Sequence, residues 1–235
     1  DPGLTEGMAE WCVGHAMRHH LGMDLHIHGQ DGVWRAGYVP PLARDRIVTV
    51  LGLGELGAET AKALASLNFQ ARGWARRPKT IDGVQCFHGA TGLREALDGA
   101  DIVVLLLPAT PDTENTLNAE TLALLSPGAA ILNPGRGPLI DDQALLDALD
   151  QGQIGHATLD VFRTEPLPPE HRYWAHPKVT VTPHIASETR PDTAAGIIAD
   201  NIRRGEAAES GGEGYRSSGK SRTQFHSDLQ VSPIV

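Results

Sequence analysis

The sequence lacks the features that mark disulfide-rich proteins and membrane proteins. Its 235 residues include only two cysteines, Cys12 and Cys86, which give no disulfide framework and have no partner at metal-ligand spacing. We therefore interpret both as buried apolar residues of a protein in the reducing cytoplasm. The longest apolar run, IVVLLLP at 102–108, is too short to cross a bilayer and suits a buried strand.

The sequence also has fewer basic than acidic residues. The chain has 20 Lys and Arg residues against 29 Asp and Glu residues, which gives a formal net charge of −9. A general binder of nucleic acid or of membrane surfaces would show a basic excess instead. The hydrophobic share of 40% and the charged share of 21% are ordinary for a globular protein. The composition therefore predicts a globular protein that binds neither nucleic acid nor membranes.

Short β-branched runs alternate with helical stretches from residue 46 onward. The candidate strands are 47–51, 69–74, 101–107, 129–133, 156–162 and 178–183, and the candidate helices are 1–20, 55–67, 118–125 and 141–150. This alternation predicts an α/β fold, a doubly wound parallel sheet with helices on both faces. Beyond residue 204 the sequence turns to Gly, Ser and charged residues, and we expect 205–235 to be a disordered, low-complexity tail.

A glycine-rich segment, GLGELG at 52–57, follows the first of these strands and opens a helix. In this setting Gly52 allows the tight turn, Gly54 lets the backbone approach a pyrophosphate, and Gly57 permits close packing of helix on strand. The first N–H groups of the helix can then bind the phosphates. A glycine-rich turn without a ligand is the alternative, but turn, helix and next strand come in the order that a dinucleotide site requires.

The residues after the second strand indicate which dinucleotide binds. NAD sites usually have an Asp or Glu here that holds the ribose 2′-hydroxyl. The segment GWARRPK at 73–79 instead provides Arg76, Arg77 and Lys79, with no acid before Asp82. Because a guanidinium binds a phosphate through two hydrogen bonds, the segment favours NADP, with NADPH preferred over NADH. The alternative is a solvated basic loop without a ligand. The position of the segment directly after this strand argues against that alternative.

Polar residues follow three further strands, at the edge where the carboxyl ends of parallel strands meet. Arg136 follows 129–133, Asp160 and Glu165 lie at and after 156–162, and His184 follows 178–183. Arg136 can clamp a substrate carboxylate and polarise the adjacent carbonyl. His184 can act as an acid–base, supported by a carboxylate such as Glu165. Each residue alone has an ordinary structural explanation, whereas the four together favour a catalytic site.

These motifs resemble those of a known family. From about residue 1 to 204 the chain is similar to the D-isomer-specific 2-hydroxyacid dehydrogenase family, nearest to its glyoxylate/hydroxypyruvate reductase branch. The segments that carry the resemblance are GLGELG (52–57), GWARRPK (73–79), LLLPATPDTENTL (105–117), ILNPGRG (131–137), LDVFRTEPLP (159–168) and VTVTPHIAS (179–187).

The resemblance implies a domain organisation. It implies a connecting helix at 1–20, a Rossmann NAD(P)-binding domain at 21–187, and a helix at 188–204 that returns to a second, smaller substrate domain. The N-terminal segment from which the family mainly builds that substrate domain is absent from this sequence. We therefore expect only remnants of the substrate domain, and poor turnover by this chain. The family also implies a homodimer.

The resemblance further implies the roles of individual residues. The implied catalytic residues are Arg136, Glu165 and His184. The implied cofactor-binding residues are Gly52, Gly54, Glu55, Leu56, Gly57, Arg76, Arg77, Pro108, Pro134, Gly135, Arg136, Asp160, His184 and Ser187.

Taken together, we expect an NADP-dependent enzyme that reduces a small 2-oxo acid, such as glyoxylate or hydroxypyruvate, to the 2-hydroxy acid. The alternative is a nucleotide-sensing binding protein that uses the dehydrogenase fold as a scaffold without catalysis. We expect no metal site, because His15 and His19 have helical zinc spacing but no accompanying HExxH motif or cysteine set. Trp174 is most simply a packing residue, although it lies near enough to the site to touch substrate.

Overall fold

The structure is a computed structural model that describes residues 2–188, 195–196, 199 and 201–204. Its contacts divide the chain into two compact units, Asp1–Ala194 and Ala195–Val235. The sheet belongs to the first unit, and the described residues of the second unit have helical backbone. The expected tail at 205–235 and part of the expected helix at 188–204 lie outside the described residues.

Seven strands and seven α-helices form within residues 2–188, besides the helical residues of the second unit. The strands are β1 (Ile47–Leu51), β2 (Gln70–Ala75), β3 (Gln85–His88), β4 (Ile102–Leu105), β5 (Ala129–Asn133), β6 (Ile154–Leu159) and β7 (Val179–Val181). The helices are α1 (Pro2–His20), α2 (Met23–Ile27), α3 (Glu55–Ser66), α4 (Gly89–Leu97), α5 (Ala119–Leu122), α6 (Asp142–Gln151) and α7 (Arg172–Ala175). None of these helices is long and apolar enough to cross a bilayer.

All seven strands pair in parallel, in the order β3-β2-β1-β4-β5-β6-β7. The order changes direction at β1, which pairs with β2 on one side and with β4 on the other. Ligands of open α/β sheets bind beyond the carboxyl ends of the strands at such a switch point. The doubly wound parallel fold expected from the sequence is thus confirmed, and its topology fixes where a site should lie.

Helices on both faces bury the central strands completely. Every residue of β4 and β5 is buried, which explains why these strands read as continuous apolar runs. Alternate residues point to opposite faces and join two separate cores. One core includes Leu51, Leu105 and Ile131 together with Leu97 of α4 and Leu145 of α6, and the other includes Val50, Val104 and Leu132 together with Cys12 of α1 and Leu64 of α3.

The structure corrects several details that the sequence pattern suggested. The pattern missed β3 and the helix α4 that follows it. β3 is an edge strand with two exposed and two half-buried residues, so it does not form an apolar run. Cys86 lies on this strand and is half-buried, so the expectation of two buried cysteines holds only for Cys12. The strand expected at 156–162 begins earlier, at Ile154, and ends at Leu159, which leaves Asp160 just beyond its carboxyl end.

Candidate active site

The glycine-rich turn joins β1 to α3 at the switch point of the sheet. Gly52 has a φ of 105°, and a Cβ there would lie 2.5 Å from the Leu106 carbonyl oxygen. A Cβ on Gly57 would lie 1.7 Å from the Gly52 carbonyl oxygen, so the helix can approach the strand only without a side chain. A Cβ on Gly54 would meet nothing within 4 Å. The protein therefore leaves open space at Gly54, where a dinucleotide requires close access to the backbone.

The first turn of α3 faces this open space without a side-chain cap. Gly54 is the N-cap residue and offers no side chain to the free N–H groups of the helix. Such N–H groups, with the positive end of the helix dipole, form a binding site for phosphate. Glu55 and Leu56 are the first two helical residues, which suits backbone contacts with a pyrophosphate.

The basic cluster begins where β2 ends. Arg76 and Arg77 directly follow the last residue of β2, and both they and Lys79 are exposed. No ion pair or hydrogen bond involves these three side chains within the described ranges. The two guanidinium groups thus remain available to a ligand at the same sheet edge as the glycine-rich turn.

The turn after β5 places Arg136 between Gly135 and Gly137. The buried Asn133 side chain donates to the Arg136 carbonyl and accepts from the Gly135 N–H, which braces the turn. A Cβ on Gly135 would lie 2.7 Å from the Leu105 carbonyl oxygen, and one on Gly137 would lie 2.0 Å from Phe162 backbone. The glycines therefore let the turn sit against its neighbours, while the Arg136 side chain remains exposed at the edge.

Asp160 organises the turn that carries His184. Its carboxylate is fully buried and accepts hydrogen bonds from Thr182 Oγ1 at 2.6 Å and from the N–H groups of Ile185 and Ala186 at 2.9 Å each. Its carbonyl accepts from the His184 N–H at 2.9 Å. These bonds hold His184 at a φ of 57°, a left-handed conformation that non-glycine residues adopt at a cost.

His184 and Glu165 form a hydrogen-bonded pair at this edge. His184 Nδ1 lies 2.7 Å from Glu165 Oε2, and Glu165 Oε1 accepts the Phe162 N–H at 2.8 Å. Partial burial disfavours the charged form of Glu165. The Phe162 N–H, the His184 imidazole and the charge of Arg136 outweigh this effect and hold the pKa of Glu165 below its usual value. The carboxylate therefore stays ionised and leaves His184 Nε2 as the free ring nitrogen.

An apolar cavity of about 420 Å³ adjoins the pair. Glu165 and His184 line it together with Phe162, Pro166, Leu167, Trp174, Val181 and Pro183. Trp174 is 52% exposed, and its indole N–H donates to the Pro168 carbonyl at 3.1 Å. The tryptophan thus lines the cavity instead of packing in the core, and its contact with substrate stays a prediction.

The remaining expected cofactor residues occupy different positions. Pro108 is exposed beyond β4, whereas Pro134 is buried in the turn after β5. The Ser187 hydroxyl donates to the Leu4 carbonyl of α1 at 2.6 Å, and the Asp160 carboxylate is fully engaged by the protein. Their contacts with a cofactor stay predictions. The sequence analysis did not single out Asn133 and Thr182. Their only signal was position: Asn133 directly precedes Pro134–Gly135, and Thr182 directly precedes Pro183.

Comparison with known proteins places these features in a family. The model of the "D-isomer specific 2-hydroxyacid dehydrogenase, NAD binding domain" matches residues 13–186. The chain is 42% identical over 211 residues to a glyoxylate/hydroxypyruvate reductase A of Serratia proteamaculans, with 89% of this chain and 67% of the relative covered. It therefore spans about two thirds of that relative's length.

Two solved structures extend the comparison. A D-isomer specific 2-hydroxyacid dehydrogenase from Xanthobacter autotrophicus Py2, in complex with NADPH and MES, is 46% identical with a TM-score of 0.84, over 88% of this chain and 86% of that chain. An NADPH-dependent glyoxylate/hydroxypyruvate reductase from Sinorhizobium meliloti, in complex with NADP and sulfate, is 36% identical with a TM-score of 0.84, over 88% and 67% of the two chains.

Proposed function

The chain belongs to the D-isomer-specific 2-hydroxyacid dehydrogenases, a family of NAD(P)-dependent oxidoreductases, and we propose that it reduces glyoxylate or hydroxypyruvate with NADPH. The observation that carries this proposal is the 2.7 Å pair of His184 and Glu165, which lies with the exposed Arg136 at the carboxyl edge of the sheet. The relatives named as glyoxylate/hydroxypyruvate reductases support the same substrate class.

The chain's residues fit a bound NADPH. The open space at Gly54 and the uncapped N-terminus of α3 suit the pyrophosphate, and Arg76 and Arg77 suit the 2′-phosphate. When bound, the cofactor supplies the hydride for the carbonyl carbon of the substrate. The preference for NADPH rests on the two arginines, because a guanidinium gains two charge-assisted hydrogen bonds from a phosphate and has no comparable partner in a hydroxyl.

In the proposed reaction His184 acts as the proton donor. Glu165 occupies Nδ1 and stabilises the imidazolium, so the proton leaves from Nε2 to the oxygen that develops negative charge. The left-handed backbone at His184, held by Asp160, fixes the ring at this edge. Arg136 binds the carboxylate of the 2-oxo acid and draws charge toward the adjacent carbonyl oxygen.

We further propose that the protein acts as a homodimer in the cytoplasm. Large apolar side chains are exposed between residues 23 and 42, and several exposed apolar side chains within one short stretch of chain suit a protein–protein interface. These side chains are Met23, Leu25, Ile27, Val33, Trp34, Tyr38, Val39 and Leu42. Both cysteines are free thiols, which suits a reducing compartment. Sedimentation of the chain at several concentrations tests the dimer.

Turnover of NADPH with glyoxylate and with hydroxypyruvate tests the proposed reaction. We expect the loss of NADPH absorbance to depend on the 2-oxo acid, and Arg136→Gln to raise KM for it because the carboxylate loses its partner. Arg94→Gln serves as the control, because Arg94 is exposed and pairs with Glu120. A chain that binds NADPH but turns over neither acid, even slowly at saturating NADPH, would overturn the proposal and favour the nucleotide-sensing scaffold.

A further inference from the structure

A cluster of two histidines and an aspartate lies toward the opposite, amino edge of the sheet. His19 belongs to the last turn of α1, Asp24 to α2, and His156 to the amino-terminal half of β6. His19 Nδ1 and His156 Nδ1 each lie 3.8 Å from Asp24 Oδ2. One possible ligand atom from each residue lies within 4.8 Å of the other two, although 132 positions of sequence separate Asp24 from His156.

Both imidazoles are held by their other nitrogen. His19 Nε2 lies 2.9 Å from Thr158 Oγ1, and His156 Nε2 lies 2.9 Å from Thr180 Oγ1. If each Nε2–H donates to its threonine, each Nδ1 carries a lone pair that points toward Asp24. This is how proteins orient histidines that bind metals, since a hydrogen bond at one ring nitrogen fixes the tautomer and leaves the other as ligand.

The aspartate is oriented in the same way. Arg18 binds Asp24 Oδ1, with its Nε at 2.7 Å and its Nη2 at 2.6 Å, and this leaves Oδ2 turned toward the two imidazoles. The separation of 3.8 Å is too long for a hydrogen bond to either Nδ1. The three groups therefore lie close together without hydrogen bonds between them.

The burial and the access both suit a cation. The side chains of His19 and His156 are only 6% and 15% exposed. A cavity of about 260 Å³ reaches the cluster from the amino ends of the strands. Its lining includes His19, Asp24, Asp101, Gly128, Gly155 and His156.

We propose that His19, Asp24 and His156 bind a divalent transition-metal ion of the zinc class. Two imidazole nitrogens and one carboxylate oxygen are a ligand set that suits Zn²⁺, and they suit Mg²⁺ and Ca²⁺ poorly because those ions prefer oxygen. Ligands of a tetrahedral zinc ion lie roughly 3.3 Å apart, given bonds of about 2.0 Å. A shift of about half an ångström for each His–Asp pair, and of at most about 1.5 Å between the two imidazoles, would close the site.

A water molecule from the cavity of about 260 Å³ can complete the coordination. His28 Nε2 lies 3.8 Å from Asp24 Oδ1, the oxygen that Arg18 holds, and is therefore not placed as a ligand. The Arg18 charge on the far oxygen of Asp24 opposes a cation, and we therefore expect moderate affinity. The ion would link the end of α1 and the short α2 to β6. It would therefore stabilise the fold at the edge opposite the catalytic residues.

Calorimetric titration of the full chain with Zn²⁺ tests the site, after treatment with a chelator. We expect one site, a rise of about 5 °C in the unfolding midpoint at saturating Zn²⁺, and at least ~10-fold weaker binding in His156→Gln and in Asp24→Asn. His26→Gln is the matched control, because His26 is an exposed histidine of the same helix α2 as Asp24. Mg²⁺ should produce neither heat nor a shift.

A second measurement remains valid if a variant fails to fold. Crystals of the unsubstituted chain grown with Zn²⁺ should give an anomalous difference peak among His19, Asp24 and His156. Binding that persists in His156→Gln and disappears in His184→Gln would overturn the proposal, because the ion would then occupy the catalytic histidine. No binding at all, or a peak elsewhere, would overturn it as well.

Discussion

The two edges of the sheet use the same residue types for different purposes. At the carboxyl edge, His184 is 52% exposed and forms a 2.7 Å hydrogen bond to Glu165. At the amino edge, His19 and His156 are 6% and 15% exposed and lie 3.8 Å from Asp24. The exposed pair places an imidazole beside an ionised carboxylate, which suits proton transfer to a ligand. The buried imidazoles have no such bond to Asp24, and their Nδ1 atoms are suited to hold a cation instead.

The two edges also differ in how the backbone supports these side chains. His184 stands on a loop after β7 in a left-handed conformation that three hydrogen bonds to the Asp160 carboxylate support. His19 and His156 stand on a regular helix and strand. Strain of this kind is typical of active sites, whereas regular elements carry structural groups. We therefore expect substitutions at the carboxyl edge to change chemistry and those at the amino edge to change stability or ion binding.

The largest expected effect separates the two edges directly. His184→Ala should lower kcat for the reduction of glyoxylate by about 10²–10⁴-fold, because the proton donor is lost. Affinity for NADPH, measured by fluorescence titration, should change little. The paired variant His156→Gln should keep kcat within about twofold of the unsubstituted chain, since Gln can still bond Thr180. Equal losses in both variants would contradict the division between the edges.

The next effect concerns the cofactor end of the carboxyl edge. Arg76→Ala should weaken NADPH binding by about 10-fold or more, because a charge-assisted hydrogen bond contributes about 1.5–3 kcal/mol. NADH binding should be nearly unchanged, since no phosphate is lost. Fluorescence titration with both cofactors measures the ratio, and Arg94→Ala is the control. An equal loss for NADPH and NADH would mean that Arg76 supports the fold and not the 2′-phosphate.

A smaller effect tests the pairing within the carboxyl edge. Glu165→Gln removes an anion that stabilises the imidazolium of His184. Reduction requires that imidazolium, so kcat should fall by about 10-fold or less, because the proton donor itself remains. Glu170→Gln, an exposed residue of the same segment, should leave kcat unchanged. An unchanged kcat in Glu165→Gln would show that Glu165 does not support the proton donor.

The carboxyl edge could be predicted from the sequence because its signals are local. A polar residue that follows an apolar strand must lie at that edge in a parallel sheet, and this rule alone brought Arg136, Glu165 and His184 to one side. This rule could not predict the contacts that orient these side chains. The sequence marked Asp160 as a polar residue of the rim, but only the packed turn reveals that its carboxylate is buried under Thr182 and two backbone N–H groups.

The amino edge could not be predicted because its partners are distant in the sequence. Local spacing pointed to His15 and His19 as the pair to consider, but His15 packs against the Trp11 ring, with centroids 4.3 Å apart. The partner of His19 is His156, whose ring centroid lies 4.7 Å away on β6. Only the strand order and the packing of α1 on the sheet bring them together, and neither of these is visible as a motif in the sequence.

The edge strand β3 was not predicted for a related reason, because its partly exposed residues do not form an apolar pattern.

The smallest expected effect on catalysis comes from two threonines on the same stretch of chain. The Thr182 hydroxyl donates to Asp160, and the Thr180 hydroxyl lies 2.9 Å from His156 Nε2. Thr182→Val leaves a buried carboxylate short of one donor, which should lower the free energy of unfolding by about 1.5–3 kcal/mol. It should also loosen the His184 turn, so kcat should fall, but by less than the ~10²-fold that a misplacement of about 1 Å can cause.

Thr180→Val should instead leave kcat unchanged and weaken Zn²⁺ binding, because His156 loses the hydrogen bond that orients its ring. Urea unfolding, steady-state kinetics and zinc titration on the two variants separate these outcomes. The two substitutions remove the same atom from residues two positions apart, so general damage to the β7 strand would affect both alike. A fall in kcat shared by both variants would therefore mean that the two edges are coupled through β7 and do not act independently.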